Sequence, residues 1–399
     1  MTSRSSRLRL PAARATGFGG VPTAAGPLRT LTTILVTAVC LLTGLGILMV
    51  QSASQVSAIA VGGNPFSGLI RQGGYALVGL GLLVALSRTP TDRLRRLAWP
   101  LLGAGLVLQL LVYTPLGYEA GGNRNWLRLG PLSAQPAEFM KFVLLVWVAT
   151  VLATKRPLLR EWWHVAIPIL PVVALSMGIN VIGGDLGTLM VIAALVFGCL
   201  FFSGVRLRFL AAIAAIAAAG IAVMTLIKPN RVIRIVQFME IDCLNDAEHA
   251  QGMCWQSLNG FWALAHGGIF GAGLGNSTAK WAWLPEADTD FIFAITGEEL
   301  GLIGAAAVLA AFTAIALALV GLIGRCSDPF ATAVLGGATA WISAQMAVNV
   351  AVVLGFIPVL GVPLPFVSAG GTSLISTLMA IGVVLTCVRE QAERDAGVG

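Results

Sequence analysis

The segment 280–301, KWAWLPEADTDFIFAITGEELG, concentrates residues that can do chemistry. Asp290 stands where a polar, acidic stretch meets a long apolar run. A carboxylate at such a junction is either the N-cap of the following helix or a general base at a membrane edge. The residue types alone favour neither interpretation.

The two acids further along the apolar run are not placed to share a proton with Asp290. Glu298 and Glu299 follow eight and nine residues later, and eight residues span ~12 Å of helix. We therefore expect no paired-carboxylate dyad. The chain has three histidines, and its sequence shows neither a Ser/His/Asp order nor a His or Cys metal cluster. The predicted chemistry is that of a single acid beside basic groups, and any metal ligands are unknown.

Basic and aromatic residues precede another apolar run in the segment 116–134, LGYEAGGNRNWLRLGPLSA. Its Gly and Asn residues predict irregular backbone. Arg124 and Arg128 are typical of contacts with lipid phosphate, and Trp126 is typical of the aromatic belt of a membrane protein. For Trp126 taken alone, we favour this anchoring role.

Two further polar sites have both a structural and a functional interpretation. Glu138 and Lys141 are three residues apart at the start of an apolar run, so they share a helix face and can pair. Ionisable residues this close to lipid usually face a protein interior or a cavity, and both roles stay open. Asp185, between glycines in GINVIGGDLGT, is interpreted as an N-cap or turn residue in preference to a substrate ligand.

A proline-rich segment near the C-terminus predicts a wall for the Asp290 site. Gln345 and Asn349 lie on one helix face and predict hydrogen bonds between helices. The sequence that follows, GFIPVLGVPLPFVSAGGTS, is typical of a broken or re-entrant helix, which is tolerated at membrane depth only where it is buried or lines a cavity.

The elements that position these residues are membrane helices. Of 399 residues, 57% are hydrophobic and 11% are charged. Apolar runs of about 20 residues, the length that crosses a bilayer, recur along the chain. We predict an all-α polytopic membrane protein with one membrane domain, 29–388, of ten spans: 29–50, 70–87, 97–115, 135–154, 163–182, 186–204, 209–228, 291–324, 331–354 and 368–388.

The distribution of Lys and Arg predicts the orientation. With the N-terminus inside, 17 of the 25 basic residues fall in cytoplasmic segments, so both termini are predicted to be cytoplasmic. The net charge of +7 then mainly reflects the Lys and Arg of the cytoplasmic segments, and nucleic-acid binding is disfavoured. Residues 1–28 are predicted to be a disordered basic tail, residues 389–399 a short tail, and the run 31–50 a retained first span.

The large outer loop, 229–290, lies between the seventh and eighth predicted spans. Cys243 and Cys254 both fall in it, so an oxidising space is predicted to join them as a disulfide. RVIRIVQFM, at 231–239, predicts a helix in the membrane interface. The glycines at 271, 273 and 275 resemble a phosphate cradle, although such runs are common in membrane proteins.

Four long motifs resemble the SEDS family of cell-wall polymerases, which comprises FtsW, RodA and SpoVE. Their order and spacing agree over residues 30–390, and the first of them is closest to the division and sporulation branch. The motifs are LPEADTDFIFAITGEELGLIG (284–304), GGNRNWLRLGPLSAQPAEFMKF (121–142), GGIFGAGLGNSTAK (267–280) and QMAVNVAVVLGFIPVLGVPLPFVSAGGTS (345–373).

The resemblance implies a peptidoglycan glycosyltransferase of the bacterial plasma membrane, acting on lipid II at the outer leaflet for septal wall synthesis. It places the catalytic base on Asp290. We add Glu286, from the same segment, to the substrate-binding candidates that it implies: Arg124, Trp126, Arg128, Gln135, Glu138, Lys141 and Lys280.

The resemblance also implies partners, namely a class B penicillin-binding protein and other division proteins, and a divalent cation such as Mg²⁺ or Mn²⁺ as the one cofactor to consider. Two departures from the family pattern matter. Asp288 stands where the family often has a His and is expected to raise the pKa of Asp290. Asn125 separates Arg124 from Trp126, where the family often has Arg directly before Trp.

Two alternative functions remain open. One is a lipid II flippase, which is disfavoured because the first three spans have almost no ionisable residues. The other is a non-catalytic scaffold.

Overall fold

The computed structural model describes residues 26–120, 123–130, 132–159, 161–227, 254–281 and 283–397. The described chain is mostly helical, as its apolar composition requires in lipid. Its α-helices are α1 (Gly26–Ala60), α2 (Ser67–Ser87), α3 (Thr91–Leu111), α4 (Pro136–Thr154), α5 (Trp162–Gly183), α6 (Leu186–Phe202), α7 (Leu207–Ile227), α8 (Trp255–Gly267), α9 (Ile292–Ile323), α10 (Pro329–Val353) and α11 (Gly371–Asp395).

Eight of the described helices are long and apolar enough to cross a membrane, judged by length and composition. The sixth and seventh predicted spans correspond to α6, which has 17 residues, and α7. The prediction of a polytopic helical membrane protein is confirmed, whereas the count of ten and the orientation stay predictions. The first helix already begins at Gly26 and continues to Ala60. The predicted interface helix at 231–239 lies outside the described residues.

A small antiparallel sheet corrects the prediction of an all-α chain. Its strands are β1 (Gly117–Ala120), β2 (Asn123–Leu129) and β3 (Leu132–Ala134), in that spatial order. The expectation of irregular backbone here was therefore wrong. A positive φ of 64° at Gly130 allows the tight reversal between β2 and β3.

Helix α9 agrees with the predicted span 291–324 but is broken at Gly301. Gly301 has φ 69° and ψ −169°. The glycine-rich segment fills the break: the amides of Ala272 and Gly273 donate to the carbonyls of Glu298 and Glu299, at 2.9 and 3.0 Å. A Cβ at Gly271 would lie 2.2 Å from the Glu299 carbonyl oxygen. The glycines thus allow close packing of loop against helix, which is a structural reason for their presence.

Helix α4 lies at the centre of the bundle. It is buried along nearly its whole length, and it contacts α3, α6, α10 and α11. A helix that is apolar on all sides is expected in this position. Its first residues follow β3 directly, so α4 links the core to the end of the bundle where the sheet lies.

Candidate functional site

A cavity of about 270 Å³ lies at the end of the bundle that carries the sheet. Four of the predicted site residues, Trp126, Gln135, Glu286 and Asp290, line it. Two loops enclose it: the cavity segment, 284–291, and the framing loop, 355–370. The described lining consists of Ala120, Asn123, Asn125, Trp126, Gln135, Asp185, Gln256, Glu286, Thr289, Asp290, Val359, Leu360, Gly361, Pro363, Ala369, Gly370, Thr372 and Ser373.

Asp290 does not cap helix α9. The N-cap is Phe291, and no side chain caps the helix, so the N-cap interpretation of Asp290 is wrong. Within the described chain no hydrogen bond reaches the Asp290 carboxylate. Its Oδ2 faces Gly361, where an added Cβ would lie at 3.5 Å. The carboxylate therefore points into the cavity beside a residue without a side chain and is available to a ligand.

The main chain of the cavity segment is firmly held. Asn349 Nδ2 donates to the carbonyls of Asp290 and Val362, both at 2.8 Å. Ser368 Oγ donates to the Thr289 carbonyl at 2.6 Å, and the Ala369 amide donates to the Asp288 carbonyl at 2.8 Å. The backbone of the segment is thus fixed, while within the described chain the Asp290 carboxylate accepts no hydrogen bond.

The framing loop is the predicted wall of the site. Val359, Leu360 and Pro363 line the cavity. Gln345 Nε2 donates to the Pro363 carbonyl at 2.9 Å. Gln345 and Asn349 were expected to join helices, and Gln345 does so, since its Oε1 accepts from Lys141 of α4 at 3.0 Å. Both residues also donate to loop carbonyls, because the framing loop packs against their face of α10.

Asp185 brings three elements together at the cavity. It caps α6, accepting from the Thr188 amide at 2.9 Å, so its predicted N-cap role is confirmed. Its Oδ2 also accepts from Asn125 Nδ2 of β2 at 2.9 Å and from Gln135 Nε2 at 3.0 Å. The sequence did not predict that this carboxylate lines the cavity, since its partners lie 50 and 60 residues away.

The cavity is acidic. Asp185, Glu286 and Asp290 line it, and the described lining contains no Lys or Arg. Burial, followed by the negative charges of Glu286, Asp185 and Asp288, raises the pKa of Asp290 to about 7. Asp288 contributes in the expected direction, but burial and Glu286 contribute more. A carboxyl group with this pKa can take up a proton near neutral pH.

Lys141 is buried away from the cavity. Its Nζ lies 2.7 Å from Glu138 Oε2 and donates to Gln345 Oε1 at 3.0 Å. It also lies 5.3 Å from the ring centroid of Trp341. Glu138 and Lys141 are 2% and 1% exposed. The geometry supports the structural interpretation of this pair, which holds Gln345 in the orientation that binds the framing loop.

Lys280 is likewise placed inside the protein, 7% exposed. Its Nζ contacts Glu299 Oε1 at 3.0 Å, Ser52 Oγ at 2.9 Å and the Gly275 carbonyl at 2.6 Å. It is absent from the described lining of the cavity. The geometry does not support the predicted contact between Lys280 and a substrate.

The two predicted arginines also have partners elsewhere. Arg124 donates to the carbonyls of Val112 and Thr114, both at 3.2 Å. The Arg128 guanidinium lies 4.8 Å from the ring centroid of Tyr118. Tyr118 pairs across the sheet with Trp126, whose ring lies 6.5 Å away. Of these predicted residues, Trp126 alone reaches the cavity lining as described, which favours a ligand contact for it over simple anchoring.

Two predictions concern a metal and a disulfide. Across the described residues, no group of three or more His, Cys, Asp or Glu is arranged to hold a metal ion. The three cavity carboxylates therefore do not form a ready cation site.

Cys254 is disulfide-bonded. Its predicted partner, Cys243, lies outside the described residues, so the pairing itself stays a prediction.

The fold and site define a polytopic helical membrane protein with an acid-lined cavity at one end of its bundle. Residues 32–393 match the family described as "Cell cycle protein", the FtsW/RodA/SpoVE family. The chain belongs to this family, as its motifs predicted.

Relatives and solved structures support the same assignment. The probable peptidoglycan glycosyltransferase FtsW of Mycobacterium tuberculosis is 36% identical over 370 residues, covering 92% of this chain and 69% of that protein. The corresponding protein of Marinobacter nauticus is 34% identical, with 93% and 92% covered. The crystal structure of Thermus thermophilus RodA is 30% identical, with a TM-score of 0.65 and 90% and 96% covered. A chain of a peptidoglycan synthase complex is 30% identical, with a TM-score of 0.70 and 90% and 97% covered.

Proposed function

We propose that this chain is a peptidoglycan glycosyltransferase that polymerises lipid II into glycan strands for septal wall synthesis. One observation carries the proposal: the Asp290 carboxylate faces the cavity without a protein partner in the described chain, while hydrogen bonds fix its main chain. Relatives that span most of the chain are named peptidoglycan glycosyltransferase FtsW. This name favours the division branch over the elongation branch.

The reaction needs one base. The 4-hydroxyl oxygen of the acceptor sugar attacks the anomeric carbon of the growing strand, forming the new C–O bond. The bond from that carbon to the diphosphate oxygen breaks, and undecaprenyl diphosphate leaves with its electron pair. Asp290 accepts the hydroxyl proton. A single displacement inverts the anomeric centre, so a second carboxylate acting as nucleophile is not required.

The surrounding residues have supporting roles in this proposal. Asn125 and Gln135 orient Asp185 and line the cavity with amides, which are suited to sugar hydroxyls. Trp126 provides an indole face for a sugar ring. Glu286 raises the pKa of the base. We derive no step through a divalent cation, because the described carboxylates do not form a group that fits one.

We further infer that the cavity opens on the extracytoplasmic side of the bacterial plasma membrane, which is the side predicted by the Lys and Arg distribution. The transpeptidase partner is inferred to be a class B penicillin-binding protein of the division machinery. This inference draws on the structural neighbour, whose title describes polymerization and crosslinking by a peptidoglycan synthase complex. The described residues here form a single membrane bundle without a separate domain for cross-linking.

The deciding experiment is a polymerisation assay in detergent micelles. Purified protein is incubated with labelled lipid II, with and without the cognate transpeptidase, and the products are resolved by length. Glycan strands are expected, with more product when the partner is present. A flippase or a scaffold forms no strands in micelles, so the absence of product under both conditions would contradict the proposal.

A further inference from the structure

The cavity lacks the positive charge that its proposed substrate needs. Among the described lining residues every formal charge is negative. The lysines predicted from the sequence are held in buried ion pairs, Lys141 with Glu138 and Lys280 with Glu299. A diphosphate is normally bound by charge-assisted hydrogen bonds, and the planar guanidinium of arginine matches its oxygen geometry. Among the described residues, a cation for the diphosphate must therefore come from beside the lining.

Arg71, in α2, lies beside the cavity segment and has an exposed guanidinium that a ligand can reach. Its Nη2 lies 4.0 Å from Asp288 Oδ2, next to the cavity segment, and its side chain is 60% exposed. Throughout the described chain, no hydrogen bond is made by its guanidinium. An exposed ion pair at this distance contributes little to stability. Asp288 thus keeps the guanidinium near the acids through a weak contact that a ligand can displace.

The neighbours of Arg71 fix its position relative to the cavity. Gln72 Nε2 donates to the Ser368 carbonyl at 3.1 Å, and Ser368 in turn binds the cavity segment. The Tyr75 ring packs so closely on Gly371 that an added Cβ would lie 2.4 Å from it. Gly370 lines the cavity. This part of α2 is therefore attached to the cavity rim on two sides.

The same part of α2 has an exposed apolar face. Ile70, Leu77 and Val78 are 64%, 74% and 55% exposed, as expected of side chains that contact lipid in a membrane helix. Arg71 thus lies between a lipid-facing surface and an acid-lined cavity. A molecule with a polyprenyl tail and an anionic head fits that boundary, because the tail stays in lipid while the head reaches the guanidinium.

We propose that Arg71 binds the diphosphate of the polyprenyl-linked substrate at the rim of the cavity, exchanging its contact with Asp288 for phosphate oxygens. The proposal rests on the proposed function, since it names the residue that binds that substrate. Asp288 is the counter-ion that holds the guanidinium at the rim when no substrate is bound.

Binding is measured directly with the full-length protein in detergent micelles. The probes are undecaprenyl diphosphate, undecaprenol and inorganic pyrophosphate. Arg71→Gln is expected to weaken binding of undecaprenyl diphosphate by about 10-fold or more and to leave undecaprenol unaffected. Arg88→Gln, at the other end of α2, is the matched control and should bind like the wild type. Unchanged binding in Arg71→Gln overturns the proposal, and pyrophosphate binding as tight as that of undecaprenyl diphosphate overturns the assignment to a lipid-linked ligand.

Asp288→Asn separates ligand binding from a purely structural ion pair. Removal of the competing carboxylate is expected to tighten binding of undecaprenyl diphosphate, so the two variants change affinity in opposite directions. Weaker binding in both variants, with matching losses of thermal stability, would instead identify a structural pair and overturn the proposal. If Arg71→Gln does not fold, Arg71→Lys keeps the charge and is expected to bind with intermediate affinity; wild-type affinity in that variant contradicts guanidinium recognition.

The polymerisation assay keeps this inference distinct from the proposed function. If the wild type makes strands and Arg71→Gln has an unchanged KM for lipid II, the inference fails and the function stands. If the wild type makes no strands but the affinity for undecaprenyl diphosphate depends on Arg71, the function fails and the diphosphate site stands.

Discussion

Two acidic regions flank the start of α9, and they use their carboxylates in opposite ways. In the cavity segment, main-chain carbonyls are hydrogen-bonded, while no described residue donates to the Asp290 carboxylate. In the buried network around Glu298, Glu299 and Lys280, the side chains themselves are bonded. Glu298 accepts hydrogen bonds from Ser277 and from the amide and hydroxyl of Thr278, both at 2.8 Å.

The difference shows which acids are available for chemistry. A buried carboxylate is stable when donors satisfy its oxygens or a cation pairs with it. Glu298 and Glu299 meet this condition inside the protein, at 0% and 1% exposure. Asp290 has no such donor in the part of the chain that the structure describes, so a ligand can supply it. The buried network packs the loop against the broken helix, whereas the cavity segment carries the proposed base.

The largest effect is expected in the buried network. Lys280→Met leaves Glu299 charged and buried without its cation, which should lower the stability of the protein by about 3–5 kcal/mol. Thermal unfolding in detergent measures this change. The double variant Lys280→Met with Glu299→Met replaces the pair by apolar side chains and should recover most of the stability and the polymerisation activity. A stable but inactive double variant would show that the network takes part in the reaction.

A smaller effect on stability is expected from Asn349, which binds both the framing loop and the cavity segment. Asn349→Ala removes the donor to the Asp290 and Val362 carbonyls. The misplaced base should lower kcat by about 100-fold, and stability should fall by about 1–3 kcal/mol. Thr339→Ala, on the same helix, is the control, because that hydroxyl donates within its own helix, to the Leu335 carbonyl. Equal effects of the two variants would contradict the positioning role.

The smallest effect is expected in the pH dependence of kcat/KM. Asp290 acts as a base only when deprotonated, so kcat/KM of the wild type should rise with pH through about 7. Glu286→Gln removes the largest charge that raises the pKa of Asp290, and the rise should therefore move to lower pH. Asp288→Asn should move it in the same direction by less, because Asp288 contributes less. A shift to higher pH in either variant would contradict the electrostatic account.

The sequence predicted features that depend on nearby residues. The apolar runs predicted the helices, the spacing of Glu138 and Lys141 predicted their pairing, and the prolines after Asn349 predicted the cavity wall. The sheet was missed, although Asn and Gly flanking alternating residues in 116–134 are typical of hairpins. That signal was assigned to irregular backbone.

Features that depend on distant residues were not predictable from spacing. Lys280 was interpreted as a substrate contact from the family resemblance, and its contact with Ser52, 228 residues away, could not be read from the sequence. Arg71 was not singled out because Asp288 is in another part of the chain. Whether Asp290 caps its helix depends on where that helix begins, and a boundary shift of one residue changes the answer.

The most direct test of the account is polymerisation of lipid II by purified Asp290→Asn, compared with Glu298→Gln. Asparagine keeps the size of the side chain but cannot accept the hydroxyl proton. We expect Asp290→Asn to fold and to unfold at the same temperature as the wild type, and to lose strand synthesis by about 100-fold or more. Glu298→Gln should lose stability and retain activity in the fraction that stays folded. Strand synthesis at the wild-type rate by folded Asp290→Asn would contradict the assignment of Asp290 as the base.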